Sequence, residues 1–219
     1  MATSTQVRFS GNTRVRDVVP VYLRYPSARF LLTALIIVAS ARLWVGDWSW
    51  WDAVAVIGLI ALQPFTEWVI HTFILHFKPR ELGPLTLDLH LAKEHRRHHR
   101  DPRVIASVFI PMRSLWIGVP IGVAITILVV PSLPLALTLI LTATVIGNIY
   151  EWTHFYVHSG CKPRNRYARY IERAHRLHHY RNEQYWMGVT NHAADHVLGT
   201  FPAKDDVPVS PTARTLGVD

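Results

Sequence analysis

Four long apolar runs constrain this chain more than any other feature of its sequence. They cover about residues 27–46, 53–77, 114–130 and 132–150, and the last two carry no charged residue. A helix that crosses a bilayer needs about 20 predominantly apolar residues, whereas a buried core helix is the alternative for shorter runs. Two uncharged runs separated only by the Pro131–Pro134 turn are hard to bury in a soluble domain of 219 residues. The sequence therefore predicts an all-α integral membrane protein of one domain, with four transmembrane helices.

The first run has a second interpretation, a cleavable signal peptide. Arg29 precedes a short apolar stretch, and Ala39-Ser40-Ala41 resembles a cleavage site. The segment before the run is long for the basic start of a signal peptide, and cleavage would leave an odd number of spans. We therefore expect the first run to be retained as a span.

Basic residues are distributed unevenly along the chain, which carries a net charge of +8. They concentrate before the first run, between the second and third, and after the fourth, while the connections 47–52 and 131–134 contain none. Basic loops mark the cytoplasmic side of a membrane, and Trp is typical of its interfaces. We expect a multi-pass cell-membrane protein with both termini cytoplasmic. The charge follows the topology, which favours contact with anionic lipid head groups rather than nucleic acid.

The spans also divide the chain into segments. Residues 1–26 are expected to form an N-terminal cytosolic arm, residues 27–201 the membrane domain, and residues 202–219, with three prolines, a C-terminal tail. Cys161 is the only cysteine, which excludes an internal disulfide and a thiolate metal cluster.

Thirteen histidines are the second informative feature, because ten of them form clusters at matched places in two halves of the chain. In each half, a pair of spans ends in a histidine pair, and a His-x-x-His-His triplet lies in the basic segment beyond. The ten are His71, His76, His95, His98, His99, His154, His158, His175, His178 and His179. Neutral imidazole is the commonest metal ligand among side chains. The duplication predicts two metal ions in neighbouring, equivalent sites.

Helical geometry predicts how these clusters bind. His154 and His158 are four residues apart and share a helix face. In each triplet the first histidine lies within about 60° of the other two, so a triplet offers ligands to two neighbouring ions. His71 and His76 lie about 140° apart on an ideal helix. Either the helix is distorted there, for example by a π-bulge, or the two histidines bind from different sides.

The residues around the ten histidines leave more alternatives open. A nearly all-imidazole site favours iron, zinc, copper or nickel. Glu67 and Glu151 lie within spans near a histidine, and we expect each to accept the second ring N–H of a ligand. Pairing with an arginine such as Arg113 is the alternative. His90 is an open candidate ligand, whereas His192 and His196 fall outside the triplets, where one of them is expected to orient a ligand.

The histidine motifs resemble those of a known family. IHTFILHF, HLAKEHRRHH, EWTHFYVH and HRLHHYRN occur in order, followed by GVTNHAADHVLGT. They are similar to the motifs of the fatty acid hydroxylase and sterol desaturase superfamily, and most similar to the fatty acid (ceramide) 2-hydroxylases, over about residues 64–201. The resemblance implies a di-iron centre, with the ten histidines as ligands, in a cytosolic helical cap over four spans. Asp195 and Gly199-Thr200 match a C-terminal signature of the family, although Ala194 stands where the signature has Trp.

The function implied by this resemblance is hydroxylation of the acyl chain of a lipid with O₂ and two electrons. Two iron ions are expected, with zinc as their substitute where a purified protein loads the metal at hand. The chain has no b-type cytochrome domain, so we expect a separate electron donor such as a cytochrome or a ferredoxin with its reductase. A lipid or sterol desaturase, which begins with the same hydrogen abstraction, is the nearest alternative. A His-rich metal-ion transporter and a haem-binding electron carrier are alternatives of other classes.

Overall fold

The computed structural model describes residues 13–218, and most of them are helical. The long apolar helices are α2 (Pro26–Val45), α3 (Trp50–Val69), α5 (Met112–Val129) and α6 (Leu133–His158). The remaining helices are α1 (Val15–Tyr22), α4 (His90–Arg100), α7 (Arg166–Tyr180) and the short α8 (Ala193–Val197). Single 3₁₀ turns occupy Ile105–Ser107 and Lys204–Asp206. One antiparallel hairpin, β1 (Arg80–Leu82) with β2 (Leu85–Leu87), is an exception to the all-α prediction, and it pairs Arg80 with Leu87.

The four long helices are long and apolar enough to cross a membrane, as the sequence predicts. α6 packs against α2, α3 and α5. Few of their side chains are buried inside the protein, and Ile36, Ile57 and Leu128 are more than half exposed. Such a continuous apolar surface is not stable in water and marks a face that contacts lipid. The chain is a membrane protein.

A buried ion pair closes the turn between α2 and α3, at the end of the spans away from the histidines. The Arg42 guanidinium donates to Asp52 Oδ1 at 2.9 Å, and the Thr138 hydroxyl of α6 donates to the same oxygen at 2.5 Å. Arg42 also lies 3.5 Å above the Trp48 ring. A buried charge requires such partners. This cluster fixes three spans to one another and accommodates an arginine on the side where the connections carry no cation.

The amphipathic helices α4 and α7 carry the two histidine triplets on their buried faces. The exposed faces of both helices are rich in arginine. α7 begins at the N-cap residue Asn165, whose side-chain oxygen accepts from the Ala168 N–H at 2.7 Å. Buried histidines on one face and solvated charges on the other explain why these segments form surface helices rather than spans.

Both terminal segments pack against the rest of the protein. α1 contributes Val18 and Tyr22 to a core cluster that includes Phe109 and Phe155, although residues 1–12 of the expected arm lie outside the described residues. The segment 202–218 does not behave as the free tail that its prolines suggested. Val207, Ala213 and Leu216 are buried, and the Ser210 N–H donates to the Arg181 carbonyl at 2.7 Å. The apolar residues among the prolines explain this packing, and the boundaries 1–26, 27–201 and 202–219 stay predictions.

Candidate metal centre

The ten clustered histidines converge on two adjacent sites. In each group, five inward-facing ring nitrogens all lie within 4.8 Å of one another. The first histidine group contains His71, His76, His95, His99 and His178. The second histidine group contains His98, His154, His158, His175 and His179. The rings of His99 and His179, one from each group, are only 4.2 Å apart between centroids.

Each group takes four histidines from one half of the chain and one from the other. His95 and His99 are four residues apart on α4 and share a face, whereas His98 is turned by about 100° and joins the second group. On α7, His175 and His179 stay with the second group and His178 crosses to the first. The triplet spacing predicts that each triplet serves two neighbouring ions, and the structure adds that His98 and His178 are the members that join the group of the other half.

A π-helical turn resolves the five-residue spacing of the first pair. The turn covers Ile70–Leu75 at the end of α3, and the His76 N–H donates to the His71 carbonyl five residues back, at 3.1 Å. The two rings consequently lie 4.8 Å apart between centroids. His154 and His158 reach a similar separation, 5.1 Å, on the regular helix α6. Of the two interpretations that the sequence allowed, the distorted helix is the one found.

Backbone carbonyls fix the tautomers of the first group. His71, His99 and His178 contact the carbonyls of Met187, Ala213 and Tyr185 through Nδ1, at 2.5, 2.8 and 2.9 Å. A carbonyl oxygen only accepts, so each Nδ1 carries the proton, and Nε2 of the neutral ring presents a lone pair.

These lone pairs form a donor set that fits a cation. His99 Nε2 and His178 Nε2 face each other at 3.2 Å, although neither has a proton to share. Nitrogens about 2.1 Å from one ion, in directions at right angles, lie about 3.0 Å apart. The ring nitrogens in contact within the two groups are 2.8–3.2 Å apart. The donor set and its spacing therefore fit one metal ion in each group.

Burial keeps the imidazoles in the form that binds metal. Loss of solvation lowers the pKa of His99 and of His178 to about 3. Burial also lowers the pKa values of His95, His98, His175 and His179 well below the ordinary range. These rings are neutral near pH 7, and metal binding at neutral pH therefore displaces no proton from them.

The two carboxylates within the spans, Glu67 and Glu151, bind backbone N–H groups and not the histidine rings that we expected them to contact. Glu67 accepts from the Val189 N–H, from the Thr190 N–H at 2.9 Å and from the Thr190 hydroxyl at 2.5 Å, and not from His71. The expectation of a direct contact with a histidine ring is wrong here, because the Met187 carbonyl already occupies His71 Nδ1. Among the described residues, no ion pair includes Glu67 or Glu151, so the arginine alternative is not found either.

Glu151 repeats this arrangement in the second half. It accepts from the Ile110 N–H at 3.1 Å, and the Val108 carbonyl accepts a hydrogen bond from His154. In both halves the carboxylate therefore holds a backbone segment whose carbonyl, two residues earlier, orients a histidine. Such outer contacts determine the ring orientation of metal-binding histidines.

Asp195 holds the segment behind His71 from its other side. Its carboxylate accepts from the Met187 and Gly188 N–H groups at 2.8 Å each, from the Thr200 hydroxyl at 2.6 Å and from His192 Nδ1 at 2.8 Å. Burial alone raises the pKa of Asp195, but the hydrogen bonds from His192, Thr200 and Gly188 outweigh it and the pKa lies below its usual value. His192 therefore supports a ligand indirectly, through Asp195 and the Met187 carbonyl.

The other candidate histidines lie outside both groups. His90 is the half-buried first residue of α4. His196 is exposed and contacts the Tyr170 hydroxyl at 2.8 Å. The contacts of the Met187, Tyr185 and Ala213 carbonyls could not be predicted from sequence, because a backbone atom leaves no residue-type signal.

Among the described residues, a narrow slot and a wide cleft reach the histidine groups. An apolar slot of about 50 Å³ is lined by His95 and His154, one from each group, together with Leu75, Phe109 and Tyr150. A larger cleft of about 780 Å³ reaches the second group alone. His158, His179, Arg103, Lys162 and Arg176 are among its lining residues. The slot lies among the ends of the spans, whereas the cleft is bordered by α7 and the polar loops.

A family model described as fatty acid hydroxylase matches residues 55–200, two thirds of the chain. The chain belongs to the fatty acid hydroxylase family. This confirms the resemblance carried by the histidine motifs.

The chain is also similar to individual members of the family, at less than 30% identity. Dihydroceramide fatty acyl 2-hydroxylase FAH2 of Arabidopsis thaliana is 28% identical over 137 residues, which cover 62% of this chain and 55% of the relative. Fatty acid 2-hydroxylase of Mus musculus is 29% identical over 147 residues, 63% of this chain and 36% of the relative. The chain thus spans about half or less of the length of these relatives.

A solved structure titled full-length scs7p, with only the hydroxylase domain visible, has the same fold. It superposes with a TM-score of 0.60 at 18% identity, over 93% of this chain and 70% of that one. The predicted four-span architecture with a histidine-rich cap is therefore that of a hydroxylase domain.

Proposed function

We propose that this chain is a membrane di-iron enzyme that hydroxylates the acyl chain of a lipid, using O₂ and two electrons. The observation that carries the proposal is the pair of five-histidine groups at the ends of the spans, joined by an apolar slot that touches both. Family membership and the names of the relatives, fatty acid 2-hydroxylase and dihydroceramide fatty acyl 2-hydroxylase, support the reaction and a position near the polar head.

The ten histidines of the two groups would hold two iron ions, one in each group. When bound, the ions supply the activation of O₂ and the oxidation of an unactivated C–H bond. The chain supplies neutral imidazoles, and in His71, His99 and His178 the Nδ1–H donates to a backbone carbonyl, which leaves Nε2 free for a metal. Zinc in purified protein is compatible with the proposal, because an all-imidazole site also suits zinc.

The apolar slot is the proposed approach for the lipid. Leu75, Phe109 and Tyr150 line it, and His95 and His154 bring both groups to it. An adjoining space of about 170 Å³ shares Phe109 and continues to Tyr25 and Met112 near the start of the spans. An acyl chain that enters here from the bilayer does not cross water, so the slot excludes solvent while it positions a C–H bond.

Orientation and partners belong to the same proposal. The basic segments, including α4 and α7, favour a cell-membrane protein whose histidine groups face the cytoplasm. A separate donor such as a ferredoxin or a cytochrome, with its reductase, would supply the electrons.

Lipid mass spectrometry under labelled O₂ tests this function. We expect cells that express the chain to gain an acyl chain with one labelled hydroxyl, and cells with a His98→Ala variant to lack it. A new double bond without label would move the protein to the desaturases. Metal accumulation without any O₂-dependent lipid change would support the transporter. Purified protein should hold about two metal ions per chain.

A further inference from the structure

The cleft beside the second histidine group is polar and wide, unlike the slot. Its volume is about 780 Å³, and the rings of His158 and His179 lie in its wall. The backbone carbonyls that orient the first group come from the segment 185–213, which packs against that group. Of the two openings, the cleft is the one that brings the aqueous side to a histidine group.

Positive charge dominates this opening. A second depression of about 490 Å³ adjoins it and shares Glu172, Arg176 and Tyr180. Glu172 is the only carboxylate in the lining of either space, and it already lies 3.8 Å from Arg176. We call the combined surface the cationic cleft, and its cations are Arg103, Lys162, Arg173, Arg176, Arg181 and Lys204.

The chemistry of the reaction defines what such a cleft has to admit. Conversion of a C–H bond and O₂ into C–OH and water consumes two electrons and two protons. One oxygen atom enters the product and the other leaves as water. The electrons have to come from a donor that is oxidised in return, and the protons come from solvent. An acyl chain does not suit a surface with six cations, whereas an acidic protein does, because complementary charge steers association.

We propose that the cationic cleft is the docking site of an acidic one-electron carrier protein, which is oxidised in two successive encounters. This inference rests on the proposed function. Tyr180, which is 43% exposed and lines both depressions, provides an aromatic contact within the charged surface, as is typical of protein interfaces. His158 and His179, two members of the second group, line the cleft in which such a donor would sit. The lipid and the reductant therefore use different openings of one centre.

Charge reversal within the cleft tests the proposal. The test variant is Lys162→Glu with Arg176→Glu, and the matched control is Arg80→Glu with Lys93→Glu. The control residues are exposed, lie outside the cleft and give the same change in net charge. The probes are a plant-type [2Fe–2S] ferredoxin and the soluble domain of an acidic b-type cytochrome. Binding is measured with zinc-loaded protein in neutral-lipid nanodiscs, and turnover with iron-loaded protein.

We expect at least one probe to bind the unaltered protein and to bind more weakly as salt increases. The test variant should weaken that binding by about tenfold or more, as loss of complementary charge does. The control should change it by less than about twofold, as surface substitutions usually do. Turnover driven by dithionite, a small reductant, should be the same in all three proteins.

Several outcomes would overturn the proposal. They are failure of both probes to bind, equal weakening by the control, and equal loss of dithionite-driven and carrier-driven turnover. Loss of binding to phosphatidylglycerol vesicles, with carrier binding intact, would instead make the cleft a site for anionic lipid. The binding measurement needs no turnover. A failure of the proposed hydroxylase function would therefore appear separately, as absence of product with every reductant.

Discussion

The first histidine pair lies on a π-helical turn, whereas the second lies on an unbroken α-helix. His71 and His76 are five residues apart and His154 and His158 are four apart, yet their ring centroids are separated by 4.8 and 5.1 Å. A π-turn accommodates one residue more than an α-turn. The two halves thus preserve the positions of their imidazoles and not the regularity of the helix, which indicates that ring placement is the constrained quantity.

The surroundings of the two groups differ more than their geometry. Three carbonyls from the C-terminal part of the chain orient the first group. In the second group, Nδ1 of His175 and of His179 has no hydrogen-bond partner within the described part of the chain, and the cationic cleft reaches His179. The apolar slot reaches both groups, whereas the cationic cleft reaches the second group alone. An enzyme that receives lipid and electrons through different openings would use that asymmetry.

The largest effects are expected from the two histidines that cross between the halves. His178→Ala should remove the ion of the first group, although His178 lies in the second half of the chain. His98→Ala should remove the ion of the second group, although His98 lies in the first half. Because outer contacts alone are worth about 10–100-fold, loss of a ligand should lower turnover by more than about 100-fold. Metal analysis should find about one ion per chain. His196→Ala, the control outside both groups, should keep two ions. Two ions per chain in either the His98→Ala or the His178→Ala variant would contradict the assignment of these histidines to the two groups.

Removing the π-turn should have a smaller effect than loss of a ligand. Deletion of Phe73, which is exposed, leaves the first pair with the four-residue spacing of the second. On a regular α-helix this spacing keeps both imidazoles on one face, as it does for His154 and His158. We therefore expect the deletion variant to keep both ions. Phe73→Ala removes the same side chain without changing the spacing and should also keep both ions. Loss of the first ion in the deletion variant alone would mean that the π-turn itself, and not only the placement of the rings, is required.

The elements that sequence could predict share a physical basis in local periodicity. The spans, the duplication and the ability of each triplet to serve two neighbouring ions follow from hydropathy and a rotation of about 100° per residue. The backbone carbonyls that orient the rings could not be predicted from this periodicity. His99 and Ala213 are 114 residues apart, and the contact uses a carbonyl, so neither spacing nor residue type signals it. The roles of Glu67 and Glu151 were misjudged for the same reason, since both bind backbone N–H groups of distant segments.

The smallest expected difference concerns these two carboxylates. Glu67 accepts from two N–H groups, the Thr190 hydroxyl and the Gln63 amide, whereas Glu151 accepts from the Ile110 N–H. Glu67→Gln replaces one acceptor oxygen with a donor that faces other donors. It should weaken zinc binding by the first group about tenfold, within the range for outer contacts. Glu151→Gln retains one oxygen for its single N–H partner and should weaken the second group less. Chelator competition with the zinc-loaded variants measures both effects, and equal losses would mean that the two halves orient their histidines equally firmly.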